Sequence, residues 1–494
     1  MKSTKILGLI LSATLFFGCS EDFLDKSKLG ALSTDKFFLT EIDANQAVIA
    51  AYSDLKDYRY TWTIWAFGDV LSDDATYSGS AADAQAYATM ESFNYPTDNG
   101  RILNRYQTLF RGVNKANQAI DGIKKMDDAL FKTMNKKQLL GEALFLRAYY
   151  YHELVIAFGA VPLMTTTPTI VDKNLTRTPV AEVYAQIEKD LIEAASYLPK
   201  KSDQNLAKDA GRITKGAANA MLSRVYLFEK KYAECKTASK AIFEENYSLV
   251  PNYADVFTLA GEHGSESILE IDHYNSTTQS AATTNNGNFH VLMMMPGGVT
   301  YGYGINQPSA SLAAAFDAEG DVIRKDATLL TLDDLALWET PANVAKVTNV
   351  RSGYWNQKYY LKPAERSVEI RNNPVNIRLI RLSEVYLNYA EACALAPSAS
   401  DGETEARLYL NKVRTRVSLP DKNSSGTALF NDIINERRLE LAMEGHRFWD
   451  MVRTGKAAAA FAGKGTFKAG VSDLLPIPQA EIDASGGVIT QNPL

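Results

Sequence analysis

The 494-residue sequence is poor in the residues on which much catalysis and cross-linking rest, with only three cysteines and five histidines. Cys19 lies at the end of the N-terminal apolar run, while Cys235 and Cys393 sit far apart in alanine-rich helical patterns. That is no disulfide framework, and the latter two read as small buried apolar residues. His152, His263, His273, His290 and His446 give no paired zinc spacing, and the chain has no Gly-x-Ser-x-Gly elbow. Gly302 and Gly304 open a Gly-x-Gly run, but Gln307 stands where the third glycine would be. No catalytic residue, metal or cofactor is therefore expected. An excess of positive charge is also missing. Lys and Arg number 52 against 58 Asp and Glu, a net charge of −6, which speaks against nucleic acid or anionic lipid as a partner.

Beyond the N-terminus no run is apolar and long enough to cross a membrane. The N-terminus itself has Lys2 and Lys5, then a mostly apolar stretch from Ile6 to Phe17, then Gly18 and Cys19. The stretch falls short of the roughly 20 residues that span a bilayer and has the form of a signal peptide. Gly18 before Cys19 points to lipoprotein processing, with residues 1–18 removed and Cys19 lipidated. Phe16 and Phe17 stand where such boxes usually carry leucine and a small residue, so an ordinary secretory cut nearby is the alternative. Glu21, Asp22 and Asp25 follow the cysteine in the manner of an export signal to the outer face of the outer membrane.

Most of the remaining chain, read as one domain over 19–494, repeats its apolar residues with helical period, which predicts a mainly α fold. Ile102, Tyr106, Leu109, Val113, Ala116, Ile120 and Ile123 mark one face of a long helix. Thr40 three before Asp43 predicts a capping box ahead of Ala44, Ala47, Ala51 and Leu55. Thr178 and Pro179 predict an N-cap and first-turn proline before Val180, Tyr184, Ile187, Leu191, Ala194 and Leu198. Thr214–Phe243 holds two short helical patterns divided at Lys230 and Lys231, and Leu382–Val417 holds another two, in the style of tetratricopeptide pairs. Several such pairs imply a stacked scaffold, with a generic bundle as the alternative. The helical scaffold is expected mainly over 40–58, 101–245 and 377–450. Irregular segments, rich in aromatics and with short strand-like pieces such as Ile268–Ile271, are expected over 59–100 and 246–376.

The chemistry hinted in those segments is aromatic. A sugar presents an apolar C–H face and a hydroxyl rim, so rings flanked by polar side chains suit it. Trp62, Trp65 and Tyr77 with Asp73 and Asp74 from the first segment, opposite Tyr301, Tyr303 and Trp338 from the second, are the candidate ligand-binding residues. Core packing is the competing role for each ring. A glycosidase needs only two suitably spaced carboxylates, so the adjacent Asp73 and Asp74, or Glu266 and Glu270, leave an enzyme open as an alternative.

Towards the C-terminus the residues fall into a known pattern. Asn435-Glu436-Arg437-Arg438-Leu439-Glu440-Leu441, Glu444-Gly445-His446-Arg447-Phe448-Trp449-Asp450 and Arg453-Thr454-Gly455 closely resemble the signature of SusD-like (RagB/SusD) outer-membrane lipoproteins. Glu142–Tyr151 with Phe158–Leu163, Arg381–Ala392, and the tail Leu475–Pro478, Glu481 and Gln491–Pro493 resemble further parts of it. The resemblance implies a SusD-like fold: four tetratricopeptide-like helix pairs as scaffold and an irregular, loop-rich region that carries the ligand. It also implies a partner, a SusC-like TonB-dependent transporter that the protein caps as a lid, and an oligosaccharide as nutrient in polysaccharide utilisation. A peptide is the alternative cargo. Glu436, Arg437, Glu444, Arg447 and Asp450 are expected to act structurally, through charge-assisted hydrogen bonds.

Overall fold

The computed structural model describes residues 37–78, 81–168, 175–275, 287–299, 302–347, 351–369 and 372–494. Cys19, the expected signal segment before it and Tyr301 lie outside them. Helices dominate, and the strands are few and short. The scaffold is four antiparallel-style pairs: α1 Glu41–Tyr52 with α2 Gly100–Lys125, α3 Lys136–Phe158 with α4 Val180–Tyr197, α5 Lys215–Phe228 with α6 Tyr232–Phe243, and α7 Leu382–Leu395 with α8 Glu403–Arg416. A ninth helix, α9 Gly426–Glu440, packs on the last pair. No helix among the described residues is long and apolar enough to cross a membrane.

The helices form where the apolar period places them. In α2 all seven residues of the predicted face are buried. Each of the valine, leucine and isoleucine side chains contributes about 1.5–3 kcal/mol on leaving water, which outweighs the weak intrinsic propensity of a solvated helix. Thr40 and Asp43 make the reciprocal capping box at the start of α1. The turn between α5 and α6 is closed by Lys230 in a left-handed conformation, φ 61°. Cys235 and Cys393 are free and buried, and burial pushes the Cys235 thiol up to about 12. One cap differs from expectation. Pro179, not Thr178, is the residue before α4, and the Thr178 N–H is spent on Val161 O at 2.9 Å, in an isolated bridge that ties the α3 exit to the α4 entry.

Buried guanidinium–carboxylate pairs tie the helices together, both within a pair and between pairs. Arg105 of α2 meets Glu153 of α3 at 2.5 Å. Arg147 of α3 grips Asp190 of α4 through two bonds of 2.7 Å. Arg224 of α5 reaches Glu384 of α7 through two bonds of 2.7 Å. Arg453, in the C-terminal helix Arg447–Arg453, holds Glu391 of α7 at 2.5 and 2.8 Å. The tail closes the scaffold: Asn492 donates to Phe158 O at 3.0 Å and Leu475 O at 2.8 Å, and Gln491 exchanges hydrogen bonds with Ile477.

The irregular region is organised by three two-stranded antiparallel sheets: β1 Ala75–Tyr77 with β3 Asn306–Pro308, β2 Ser267–Ile271 with β6 Ile377–Arg381, and β4 Leu329–Leu330 with β5 Trp355–Asn356. Segment 59–100 is less irregular than its composition suggests. It contains helices Tyr58–Trp65 and Ala81–Glu91, the first capped by Asp57, whose carboxylate accepts the Arg59 N–H. Aromatic residues there obscured a helical i, i+4 period.

Acid stability reports on these pairs. Burial alone would raise the Glu384 carboxyl, but the Arg224 guanidinium overcomes it and lowers the group from 4.5 to about 2. A depressed carboxylate stabilises the fold above its unfolded pKa and loses that contribution as pH falls through its folded value. Stability is therefore expected to drop between pH 4.5 and 2. Glu384→Gln, which strands Arg224, should cost about 3–5 kcal/mol at neutral pH and flatten part of that acid slope in urea denaturation series.

Candidate functional site

The two irregular segments meet through β1 and β3, which register Tyr77 against Asn306, Thr76 against Gln307 and Ala75 against Pro308. Ser309 extends the junction, its N–H donating to Asp74 O at 2.7 Å and its hydroxyl to Asp73 O at 2.6 Å. Tyr303 sits just before β3, 39% exposed. Its N–H and those of Gly304 and Ile305 donate to Leu292, Met295 and Met293 carbonyls at 2.7–2.9 Å, docking this turn onto helix His290–Met294. Gly304, at φ 59°, supplies the left-handed backbone the turn needs.

Two aromatic groups flank helix His290–Met294. In the inner one Tyr87 is sandwiched, stacking on Tyr77 at 4.9 Å and on Trp65 at 5.5 Å, while Trp65 meets His290 edge-on at 6.2 Å. Trp65 is 1% exposed and Tyr77 2%, so both are packed among protein rings. In the outer group Trp62 stacks on Phe289 at 5.2 Å, with Tyr58 edge-on to Trp62 at 5.3 Å and 43% exposed. The Arg101 guanidinium lies 4.6 Å from the Trp62 ring centre and 5.2 Å from that of Tyr87, so it joins the two groups. Tyr58 and Trp62 are one helical turn apart, which puts them side by side on one face of this helix, opposite buried Tyr60. Trp338 belongs to another apolar cluster, with Val291, Met295, Val299 and Trp355. It stacks on Tyr360 at 5.4 Å, has the Lys362 ammonium 4.9 Å from its centre, and neighbours Glu339, which accepts the Tyr360 hydroxyl at 2.8 Å.

The predicted acidic pair is engaged within the protein. Asp73 accepts two bonds from Arg447 at 2.8 and 3.0 Å, and Asp74 takes Arg438 at 2.6 Å, with Arg438 also 3.1 Å from Asp73. Asp74 is 0% exposed. Lys464 gathers the same turn by donating to the carbonyls of Val70, Ser72 and Ala75. Beneath it a π-helical turn, Ala66–Val70, approaches the signature turn so closely that a Cβ on Gly68 would stand 2.0 Å from Gly445 O. Burial raises Asp69 to about 7, against its hydrogen bonds from Asn306 at 3.0 Å and the Gly445 N–H at 2.8 Å. Asp73, Asp74, Trp65 and Tyr77 thus fix the floor of the site. Trp62, Tyr303 and Trp338 retain partly open rings. Tyr58, Phe289 and Arg101 join them without having been singled out from sequence; the aromatic pair one turn apart at Tyr58 and Trp62 was the available signal.

With this geometry, comparison with known proteins decides the family. A model described as starch-binding and associating with the outer membrane matches residues 22–227, and the SusD family model matches residues 244–494. The chain belongs to the SusD family. A SusD-like protein of Bacteroides ovatus is 24% identical over 479 residues, 92% of this chain and 82% of the relative. SusD-like protein P2 of Formosa agariphila is 26% identical over the whole of both chains. Among solved structures, a laminarin-binding SusD-like protein is 29% identical with a TM-score of 0.79, covering 92% of this chain and 99% of that one. Surface glycan-binding protein A of Bacteroides thetaiotaomicron, in complex with laminarihexaose, is 24% identical and shares the fold at a TM-score of 0.80 over 92% of this chain and 99% of that one. The SusD signature found in the sequence accounts for the Arg438 and Arg447 contacts that hold the floor.

Floor and platform should separate in stability measurements. Trp65→Ala leaves a cavity among protein rings and should cost about 3–5 kcal/mol. Trp62→Ala, at the half-open edge, should cost clearly less in the same denaturant titration.

Proposed function

We propose that this protein captures an oligosaccharide at the outer face of the outer membrane, held there by a lipid on Cys19. It hands the sugar to a SusC-like TonB-dependent transporter that it caps as a lid, and it catalyses nothing itself. The observation that carries the ligand class is the outer aromatic group: Tyr58, Trp62 and Phe289 make a ring surface with Arg101 across it. A ring's electron-rich face attracts a guanidinium and the C–H face of a pyranose alike, and a displaced Arg101 has donors for the sugar's hydroxyls. Trp62, Tyr58 and Phe289 are the contacts on this platform, and the exposed Tyr303 is a further contact. Trp338, with polar neighbours Glu339 and Lys362, is a second contact.

Membership of the SusD family supports the transporter partnership and the surface location. The laminarin-binding relative supports a glycan over a peptide. The ion pairs of Asp73 with Arg447 and of Asp74 with Arg438 support a structural role for these two carboxylates.

Titration calorimetry of the body that follows Cys19, against laminarin oligosaccharides, other glycans and peptides, tests the proposal. Saturable binding to a glycan is expected, with no shorter products formed. Trp62→Ala should weaken it about tenfold, or about 1.4 kcal/mol. Binding of peptides alone, product formation, or full affinity in both Trp62→Ala and Trp338→Ala would contradict it.

A further inference from the structure

Away from the aromatic platform, three potential metal ligands converge where β2 ends. Glu270 lies in β2 and Asp272 two residues on, so both project to the same side of the strand. His263 comes from the preceding turn, where its backbone holds φ 54°, the left-handed region in which histidine, asparagine and aspartate are enriched among non-glycine residues. One ligand atom from each of the three lies within 4.8 Å of the others. His263 Nε2 stands 3.3 Å from Asp272 Oδ1. Ligands about 2.0–2.1 Å from a tetrahedral metal are about 3.3 Å apart, so this edge already has a coordination spacing.

Surrounding groups hold the arrangement. The Glu270 carboxylate accepts the His263 N–H at 3.0 Å through one oxygen and the Asn376 amide at 2.8 Å through the other. The same amide nitrogen is 3.4 Å from both His263 Nε2 and Asp272 Oδ1. The His263 imidazole can itself donate from Nε2 to Asp272 Oδ1, so a bound cation would take the place of that proton between the two. Arg378 is 3.7 Å from Glu270, and Lys56 faces Asp272; Glu262, which accepts the Asn376 N–H, adds a third carboxylate to the neighbourhood. Glu270 and Asp272 also line a cleft of about 260 Å³ with Tyr52, Lys56, Gly211 and Arg212. The His263 and Asp272 side chains are 26% and 31% exposed, so an ion can enter.

We propose that His263, Glu270 and Asp272 bind one divalent transition-metal cation of the zinc type, with its remaining coordination position open to this cleft. One imidazole and two carboxylates suit zinc, cobalt, nickel or copper, whereas calcium takes six to eight oxygen ligands and no imidazole. Asn376 keeps its bond to Glu270 as an outer-shell partner that orients the carboxylate. The ion ties the turn at His263 to the end of β2 and stabilises that turn's backbone. This site is independent of the glycan platform.

Cobalt(II) titration of the metal-free, full-length protein, followed by visible absorption, tests it. A ligand-field band saturating at one equivalent is expected, with zinc displacing the cobalt. His263→Gln and Asp272→Asn should each abolish the band while circular dichroism shows the folded protein. Absence of a band, a signal that grows without saturating, or a band that persists in both folded variants would overturn the proposal.

Discussion

The fold turns on one buried guanidinium, Arg381 at the end of β6. It contacts Glu266 at 2.6 Å, Glu440 at 2.9 Å and Glu444 at 2.8 Å, and is 1% exposed. Each carboxylate has a further cation: Arg416 reaches Glu266 and Glu440, Arg324 reaches Glu440 and Glu436, and Lys358 reaches Glu444. These residues come from β6, α8, α9, the signature turn and the region between the third and fourth helix pairs. Apolar side chains could fill such a space at similar or better stability, but they would not prescribe one mutual arrangement of so many segments. A missing partner leaves a buried charge uncompensated, at about 3–5 kcal/mol, so each misregistration is penalised.

That lattice explains how an irregular region can carry an ordered site. α9 places Arg438, and the short helix after the signature turn places Arg447, against Asp73 and Asp74. Those aspartates position the turn that leads into β1, β1 registers β3, and β3 fixes the turn bearing Tyr303. Tyr303 therefore inherits its placement from charges in the C-terminal signature. The charged residues act as supports, and under the proposed function the ligand chemistry falls to the rings.

Much of the scaffold was legible because helical period and capping are local. The α2 face, the Thr40 capping box and the split at Lys230 and Lys231 each follow from neighbours in sequence. Thr178 is held one residue outside α4 by its bridge to Val161, a partner invisible from local pattern, and Pro179 O accepts the first helical bonds instead. The site was legible only in part. Aromatic crowding singled out two segments, and the structure joins them through β1 and β3. Yet whether a ring is floor or surface depends on distant partners: Tyr87 and His290 enclose Trp65, and Arg438 and Arg447, more than 350 residues away in sequence, occupy Asp73 and Asp74. Tyr58, Phe289 and Arg101 come from three separate stretches, and no sequence spacing links them.

The division between a charged support and an aromatic ligand surface is tested most directly by hydrogen exchange at saturating oligosaccharide. Added protection should concentrate in Tyr58–Trp65 and in residues 287–299 and 302–305, with the signature segment Asn435–Arg453 unchanged. Protection centred on that signature segment, with the two aromatic stretches unaffected, would contradict the account.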